Sequence, residues 1–381
     1  MKNKKFIPVC EPTLIGNESK YVNDCLKTNW ISSSGKYIEM FEKGFAKYCD
    51  TKYGIATCNG TVSIHLALEA LGIGPGDEVI VPDFTMIASV NSILYTGAKP
   101  LFVDADIETW CIDPKLIEEK ITKKTKAIMP VHIYGHPCDM DSINKIAKKY
   151  NLYVVEDAAE AHGALYKNKK IGSLGNAASF SFYANKIITA GEGGMAVTND
   201  EKLAEKMMLL KNHAFTKNRF THDEVGYNYR MTNIQAAIGL GQLENIDKLI
   251  QMRISSANLY NKLLKNVKGI TLPPSKDWAK NVYWMYGILL NGDFGMARDK
   301  LKEELLKIGI DTRSFFIPAH KQPVFERKSE KFSIPDINGK YPVSENLGTN
   351  GVYLPSSSHL PREDITYITE AIKNIKENTD N

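Results

Sequence analysis

The chain has no Cys-x-x-Cys pair and no cluster of histidines, and its six cysteines (Cys10, Cys25, Cys49, Cys58, Cys111 and Cys138) stand singly along 381 residues. That scatter argues against a structural zinc site and a disulfide framework, and it suits a reducing compartment. No run of about 18 apolar residues occurs, so no transmembrane helix is expected. The opening "MKNKKFIPVCEPTLIG" carries charge but no apolar segment long enough for a secretory signal, which makes a cytoplasmic location the expectation. The dinucleotide fingerprint G-x-G-x-x-G is also missing, and "GEGG" at 191–194 does not supply it. A nucleotide-dependent oxidoreductase would need such a turn after its first strand. Finally, the net charge of +4 is spread over "MKNKK", "KKTK" and "KNKK". It forms no basic arm, so no nucleic-acid partner is expected.

What remains is an ordinary globular composition, 43% hydrophobic and 24% charged, long enough for about two domains. From residue 53 to 210, short β-rich runs (78–82, 99–106, 126–135 and 152–159) alternate with amphipathic stretches of helical length such as "TVSIHLALEALGI" and "DMDSINKIAKKYN". Near-continuous apolar strands separated by helices predict an α/β fold with a mostly parallel sheet covered on both faces. After Met231 the pattern changes to one long helical stretch, "TNIQAAIGLGQLENIDKLIQMRISSANLYNKLL", followed by a smaller α/β unit. The expected division is a large domain over residues 1–243 and a small domain over 244–381, with a soft boundary near 242–248. No internal repeat is present.

The chemistry gathers where such sheets bind ligands, at the carboxyl ends of the strands. Lys186 follows the apolar run "SFSFYAN", and a desolvated lysine has a depressed pKa that suits a Schiff-base nucleophile and proton carrier. Taken alone it reads better as a lysine snorkelling out of the strand end, and only its neighbours reverse that reading. Asp157, in "VVEDAAEAHGA", ends another strand and could hold a ribose, a metal or a protonated ring nitrogen, or merely cap a helix or make a structural ion pair. Gly60 and Thr61, in "CNGTVSIHLAL", lead straight into a helix whose N-terminal N–H groups can cradle a phosphate, although Gly-Thr is also a good cap. A phosphate cradle, a strand-end acid and a lysine together fit pyridoxal phosphate, which needs all three.

With those residues in view, the chain resembles the DegT/DnrJ/EryC1/StrS sugar aminotransferases, within the fold-type-I (aspartate aminotransferase-like) pyridoxal-phosphate enzymes. The stretches "NWISSSG", "CNGTVSIHLAL", "VPDFTMIASVNSILYTGAKPLFVD", "MPVHIYGHPCDMD", "VVEDAAEAHGA", "SFSFYANKIITAGEGGM" and "GYNYRMTNIQAAIGLGQLE" carry the likeness nearly end to end. The resemblance implies that Lys186 bonds the cofactor aldehyde and moves the proton, and that Asp157 holds the pyridine nitrogen. It puts Glu160 near the ring hydroxyl, where many relatives have glutamine and the perosamine-synthase branch has glutamate. Gly60, Thr61 and Ser181 would bind the phosphate, joined by Asn228 from a second subunit, so the enzyme would be a homodimer with shared sites. Met86 departs from the pattern, since many relatives stack an aromatic residue on the ring there. Phe84 is expected to point elsewhere.

Family members mostly transfer the amino group of L-glutamate to a nucleotide-linked keto sugar. A minority replace the lysine with histidine and remove a hydroxyl instead, and Lys186 argues against that branch. The texture of "NWISSSG", "EDAAEAHGA" and "NYRMTNIQAAIGLGQLE" most resembles perosamine synthases, which aminate C4 of GDP-4-keto-6-deoxymannose, with UDP- or dTDP-linked sugars as the alternative. Such an enzyme would serve surface-polysaccharide biosynthesis, including O-antigen of lipopolysaccharide. Trp30, Arg230 and His320 are the candidate substrate contacts. Each also has a plainer reading, as core packing, a subunit tie and an exposed loop histidine respectively. A non-catalytic sensor or scaffold on the same fold would be expected to lack the lysine or to carry a DNA-binding segment.

Overall fold

Apolar and β-branched runs such as "EVIVP" and "YVVED" lose little by being buried on both faces, and they form the centre of the large sheet. A computed structural model of the chain describes residues 6–218 and 220–380. Seven strands lie in the order β1-β9-β8-β5-β4-β2-β3. They are β1 (Tyr53–Thr57), β2 (Glu78–Pro82), β3 (Lys99–Val103), β4 (Thr125–Ile128), β5 (Tyr153–Asp157), β8 (Ala177–Ser181) and β9 (Gly194–Thr198). The run from β3 to β8 is parallel, and β9 alone is antiparallel to both its neighbours. The two-residue strands β6 (Leu165–Tyr166), β7 (Lys169–Lys170) and β11 (Ala279–Lys280) make a small separate sheet.

Helices α1 (Glu18–Thr28), α2 (Lys36–Tyr48), α3 (Gly60–Ala70), α4 (Ile87–Tyr95), α5 (Met140–Tyr150), α6 (Glu201–Leu210) and α7 (Asn233–Leu243) accompany the large sheet. Their apolar faces close two cores. One holds Phe41, Phe45, Phe180 and Phe182, and the other holds Ile64, Leu66, Val81 and Met207. Burying each such side chain is worth about 1.5–3 kcal/mol.

Three strands are shorter than the sequence pattern suggests, the run 152–159 being trimmed to Tyr153–Asp157 in β5. The regular ladder of the run 126–135 ends at Ile128, because Pro130 has no N–H to give it, although Val131 still bridges the end of β5 at Asp157. Beyond it Tyr134 adopts φ 52°, and the chain makes a buried turn. The run 99–106 stops at Val103, where Asp104 turns its carboxylate to other work described below. The long helical stretch after Met231 is two helices, with α8 (Ile246–Leu264) starting afresh after Asn245 at φ −116° and ψ 12°. Thr232 and Gln235 build a capping box at the start of α7.

The C-terminal half contains α8, α9 (Arg298–Lys307), α10 (Pro342–Asn350) and α11 (Arg362–Asp380), with an antiparallel sheet ordered β10-β12-β14-β13. Its strands are β10 (Ile270–Thr271), β12 (Tyr286–Leu290), β13 (Arg313–Ser314) and β14 (Gly351–Leu354). Tyr260, Ile288, Leu301, Val352 and Ile368 form its own core. Ile7 packs into that core, and its backbone bonds Gly309 and Asp311 (2.8 and 2.9 Å). The first residues described therefore pack with the C-terminal half, whereas the sequence reading assigned them to residues 1–243. No helix among the described residues is long and apolar enough to cross a membrane, and none of their His, Cys, Asp and Glu side chains form a metal-binding group.

Candidate active site

A cavity of about 690 Å³ opens at the carboxyl ends of the parallel strands, a size that suits a cofactor or small-molecule ligand. Gly60, Thr61, Met86, Asp157, Glu160, Ser181 and Lys186 all line it. Seven positions spread over more than 120 residues of sequence meet here because β1, β2, β5 and β8 end on the same side of the sheet.

Asp157 closes β5 and is buried. Its Oδ2 accepts from the Ser89 hydroxyl (2.6 Å) and its Oδ1 from the Ala159 N–H (3.1 Å). Burial pushes its pKa up, and those two bonds only partly offset the cost. The carboxylate is thus poised for a cation, which a pyridinium nitrogen would be. Elsewhere in the cavity wall, Asn59 caps α3 by accepting from Val62 N–H (3.0 Å). The first-turn N–H groups of α3 have no intrahelical partner and carry the positive end of the helix dipole. Close packing keeps this turn tight. A Cβ at Gly60 would lie 2.8 Å from the Cβ of Ser181, and one at Gly194 would lie 2.3 Å from the Asn59 carbonyl oxygen. Ser181 ends β8 beside it, its hydroxyl oxygen accepting only a long bond from Tyr183 N–H (3.4 Å).

Lys186 stands in a turn five residues beyond the end of β8, not on the strand itself. Its side chain is 10% exposed, its Nζ lies 4.0 Å from Glu160 Oε1, and the Trp284 ring centroid is 3.6 Å away. Burial lowers its pKa, against the pull of Glu160, Asp157 and Cys10. Glu160 is pushed up to about 7 by burial, although Lys186 and the Tyr134 N–H donating to its Oε2 (2.7 Å) favour the charge. Acid and amine therefore face each other with their proton affinities drawn together, as proton transfer near neutrality requires. Asn185 also lines this cavity and has a buried side-chain oxygen without a hydrogen-bond partner among the described residues. A lone amine, a buried acid wanting a cation, a helix N-terminus and a free acceptor fit the aldehyde, ring nitrogen, phosphate and polar periphery of pyridoxal phosphate.

Met86 is 46% exposed, and its sulfur accepts the Ala88 N–H at the start of α4 (3.0 Å). Phe84 points away, as expected, into a buried cluster with Tyr134, Phe315 and Phe316.

The remaining candidates do not line this cavity. Trp30 is 57% exposed and borders a second hollow with Asp24, Lys36 and Tyr37. Asn228 is exposed, and its Oδ1 accepts from Arg230 Nε (2.9 Å). Arg230 reaches Asn212 and His213 besides. Their segment runs alongside the turn that leads into α3, since Tyr229 O accepts from Cys58 N–H (2.9 Å). Tyr227 and Tyr229 stack at 4.8 Å on the side of His65, which leaves Asn228 and Arg230 on the other face. His320 corrects the sequence reading of an exposed loop or ligand histidine: it is buried, with both ring nitrogens engaged by Asp83 (2.7 Å) and Glu345 (3.1 Å).

Sequence reasoning missed Trp284, Ser89, Phe316 and Tyr353, which complete the wall. Trp284 sits in the apolar run before β12, where nothing in the pattern separates a cavity residue from core. Ser89 had a signal, as a hydroxyl one turn into the apolar helix that follows "DFT".

Comparison with known proteins agrees with this geometry. The profile of the DegT/DnrJ/EryC1/StrS aminotransferase family matches residues 12–373. A GDP-perosamine synthase of Escherichia coli O157:H7 is 48% identical over 97% of this chain and 98% of its own. One from Caulobacter vibrioides is 47% identical over 98% of this chain and the whole of its own. Among solved structures, a sugar aminotransferase of Streptococcus pneumoniae in its PMP-form superposes with a TM-score of 0.90 at 28% identity, covering 98% of each chain. The chain belongs to the DegT/DnrJ/EryC1/StrS aminotransferase family.

Proposed function

We propose that this aminotransferase uses pyridoxal phosphate to move an amino group from L-glutamate to C4 of GDP-4-keto-6-deoxymannose, giving GDP-perosamine for a surface polysaccharide. The convergence of Lys186, Glu160, Asp157, Ser181 and the Gly60–Thr61 turn on one cavity carries the chemistry. The near full-length identity to GDP-perosamine synthases from two bacteria supports the acceptor.

In this reading the N-terminus of α3 and the Ser181 hydroxyl hold the phosphate, and Asp157 pairs with the ring nitrogen. When bound, the cofactor supplies an electron sink for charge left on carbon as a proton departs. Lys186 Nζ takes that proton from the donor and, in the second half, returns one to the sugar carbon. Its lowered pKa keeps a share of the amine neutral for the task. Glu160 holds the amine in reach and draws back protons between steps. Trp284 closes one side of Lys186 and excludes water from it.

Among the described residues the cavity has one cation, Lys186, against Asp157, Glu160 and Glu192. Phosphate and a dicarboxylate donor call for more positive or donor groups than that. Asn228 and Arg230 stand on an outward face beside the Gly60–Thr61 turn, and Arg230 has no carboxylate partner among the described residues. They fit a role in the site of a second copy, so the functional unit is a homodimer with composite sites.

The test is amination of GDP-, UDP- and dTDP-linked 4-keto-6-deoxy sugars with glutamate, followed by mass spectrometry of product and 2-oxoglutarate. Turnover of the GDP sugar well above the others is expected. Preference for another nucleotide would overturn the acceptor, and no transfer to any sugar by protein carrying the cofactor would favour a sensor or scaffold role.

A further inference from the structure

Two buried carboxylates at the ends of neighbouring strands take no part in this chemistry. Asp104, after β3, accepts from Val343 N–H, Ser344 N–H and Ser344 Oγ–H (3.0, 2.8 and 2.6 Å) and so caps α10. Asp83, after β2, accepts from His320 N–H and from its Nδ1 (2.8 and 2.7 Å), and its own carbonyl accepts from Ala319 N–H (2.8 Å). The other ring nitrogen of His320 lies 3.1 Å from Glu345 on α10, and the ring rests against Tyr341 at 4.7 Å. Lys321 completes the group at 3.2 Å from Glu345, and Asp104 is the next carboxylate felt by Asp83.

These bonds fasten the segment 315–321 to the parallel sheet. The same segment gives Phe316 to the cavity wall and contains Pro318, which stiffens the approach to His320. An imidazole between two carboxylates satisfies both only as imidazolium. The neutral ring has a single N–H and must turn a lone pair toward one of the acids.

We propose that His320 is a positioning residue, an imidazolium latch between Asp83 and Glu345 that holds Phe316 where the nucleotide-linked sugar binds. This rests on the reading of the cavity as the acceptor site. Burial works against the charged ring, but the bonds to Asp83 and Glu345 outweigh it and hold His320 above its ordinary value. As pH rises through that raised value the proton leaves. Glu345 is then the partner lost, because it is 45% exposed and keeps Lys321, whereas Asp83 is buried and tied to backbone. Loss of the latch therefore raises the acceptor KM, whereas kcat follows the titration of Lys186 and Glu160.

The experiment measures kcat and KM for the GDP-linked keto sugar from pH 6 to 9, with hydrogen exchange of 315–321 followed by mass spectrometry. In the wild type, KM should climb about tenfold above the latch pKa, the scale of one charge-assisted hydrogen bond. His320→Asn, which keeps one bond to Asp83, should show that higher KM at every pH, with kcat within about twofold and faster exchange across 315–321. Glu345→Gln removes an exposed partner without threatening the fold, and should flatten the pH profile. Asp104→Asn should lower the melting temperature yet keep the wild-type profile. The proposal is overturned if Glu345→Gln retains the wild-type pH dependence, or if His320→Asn lowers kcat at unchanged KM. Should no nucleotide sugar be aminated, the functional reading falls, and the exchange data still decide the latch.

Discussion

Replacing Asp157 with asparagine separates a cofactor-binding acid from a structural one. The side chain keeps its shape, the Ala159 N–H still finds an oxygen, and the Ser89 hydroxyl can turn to accept from the new amide. What disappears is a buried charge whose pKa burial has already raised. Without cofactor the folded protein binds that proton more tightly than the unfolded chain does. The carboxylate therefore costs stability as pH rises above the ordinary carboxylate range. Cofactor-free Asp157→Asn should accordingly melt at or above the wild-type temperature at pH 8. With pyridoxal phosphate the order reverses, because the charge-assisted bond to the ring nitrogen, worth about 1.5–3 kcal/mol, is gone. That is about 10- to 150-fold in Kd. A hundredfold loss removes about 2.7 kcal/mol of ligand stabilisation when the cofactor is in large excess. Thermal melts with and without cofactor, alongside a spectroscopic titration, measure both quantities. A variant that loses stability without cofactor and binds pyridoxal phosphate as tightly as wild type would refute the reasoning, leaving Asp157 a structural acid.

Lys186→Ala should abolish transamination, because no other amine among the described residues lines the cavity; borohydride reduction of the wild type followed by peptide mapping should put the label on Lys186 and nowhere else. Glu160→Gln should flatten the pH dependence of cofactor-free stability between about pH 4.5 and 7, the window over which the wild-type carboxyl, held up to about 7, loses stability as pH rises. The difference in unfolding free energy between the two proteins should change by at most about 3 kcal/mol across that window, and equal slopes would show that Glu160 titrates normally. Met86→Tyr gives up the sulfur cap on α4 but offers a ring to the cofactor, so cofactor release should slow while the cofactor-free melting temperature drops slightly. Mixing Lys186→Ala subunits with Asn228→Asp subunits under conditions of chain exchange should restore partial activity, since a heterodimer holds one site free of both lesions. Absence of recovery despite proven exchange, with both parents inactive, would count against composite sites.

The legible part of the fold was whatever follows from local pattern. Apolar strands alternating with amphipathic helices imply a parallel sheet, and a parallel sheet implies a ligand at its carboxyl edge, which is where Asp157, Lys186 and the Gly60–Thr61 turn meet. Hidden from the sequence were features set by contacts between distant segments. The break at Asn245 interrupts a continuous helical pattern, and Trp284 covers Lys186 from the second half of the chain. His320 looked like a loop residue because its partners, Asp83 and Glu345, lie 237 and 25 positions away. Sidedness was hidden in the same way. Alternation along "YNYR" says that Asn228 and Arg230 share a face opposite to the two tyrosines, but not which face meets the chain's own cavity. The stacking of Tyr227 and Tyr229 against His65 answers that, since it commits the tyrosine face inward and turns the amide and guanidinium outward. In the proposed dimer, this polar pair, displayed outward beside the Gly60–Thr61 turn, would serve the cavity of a second copy, whose lining among the described residues has Lys186 as its one cation.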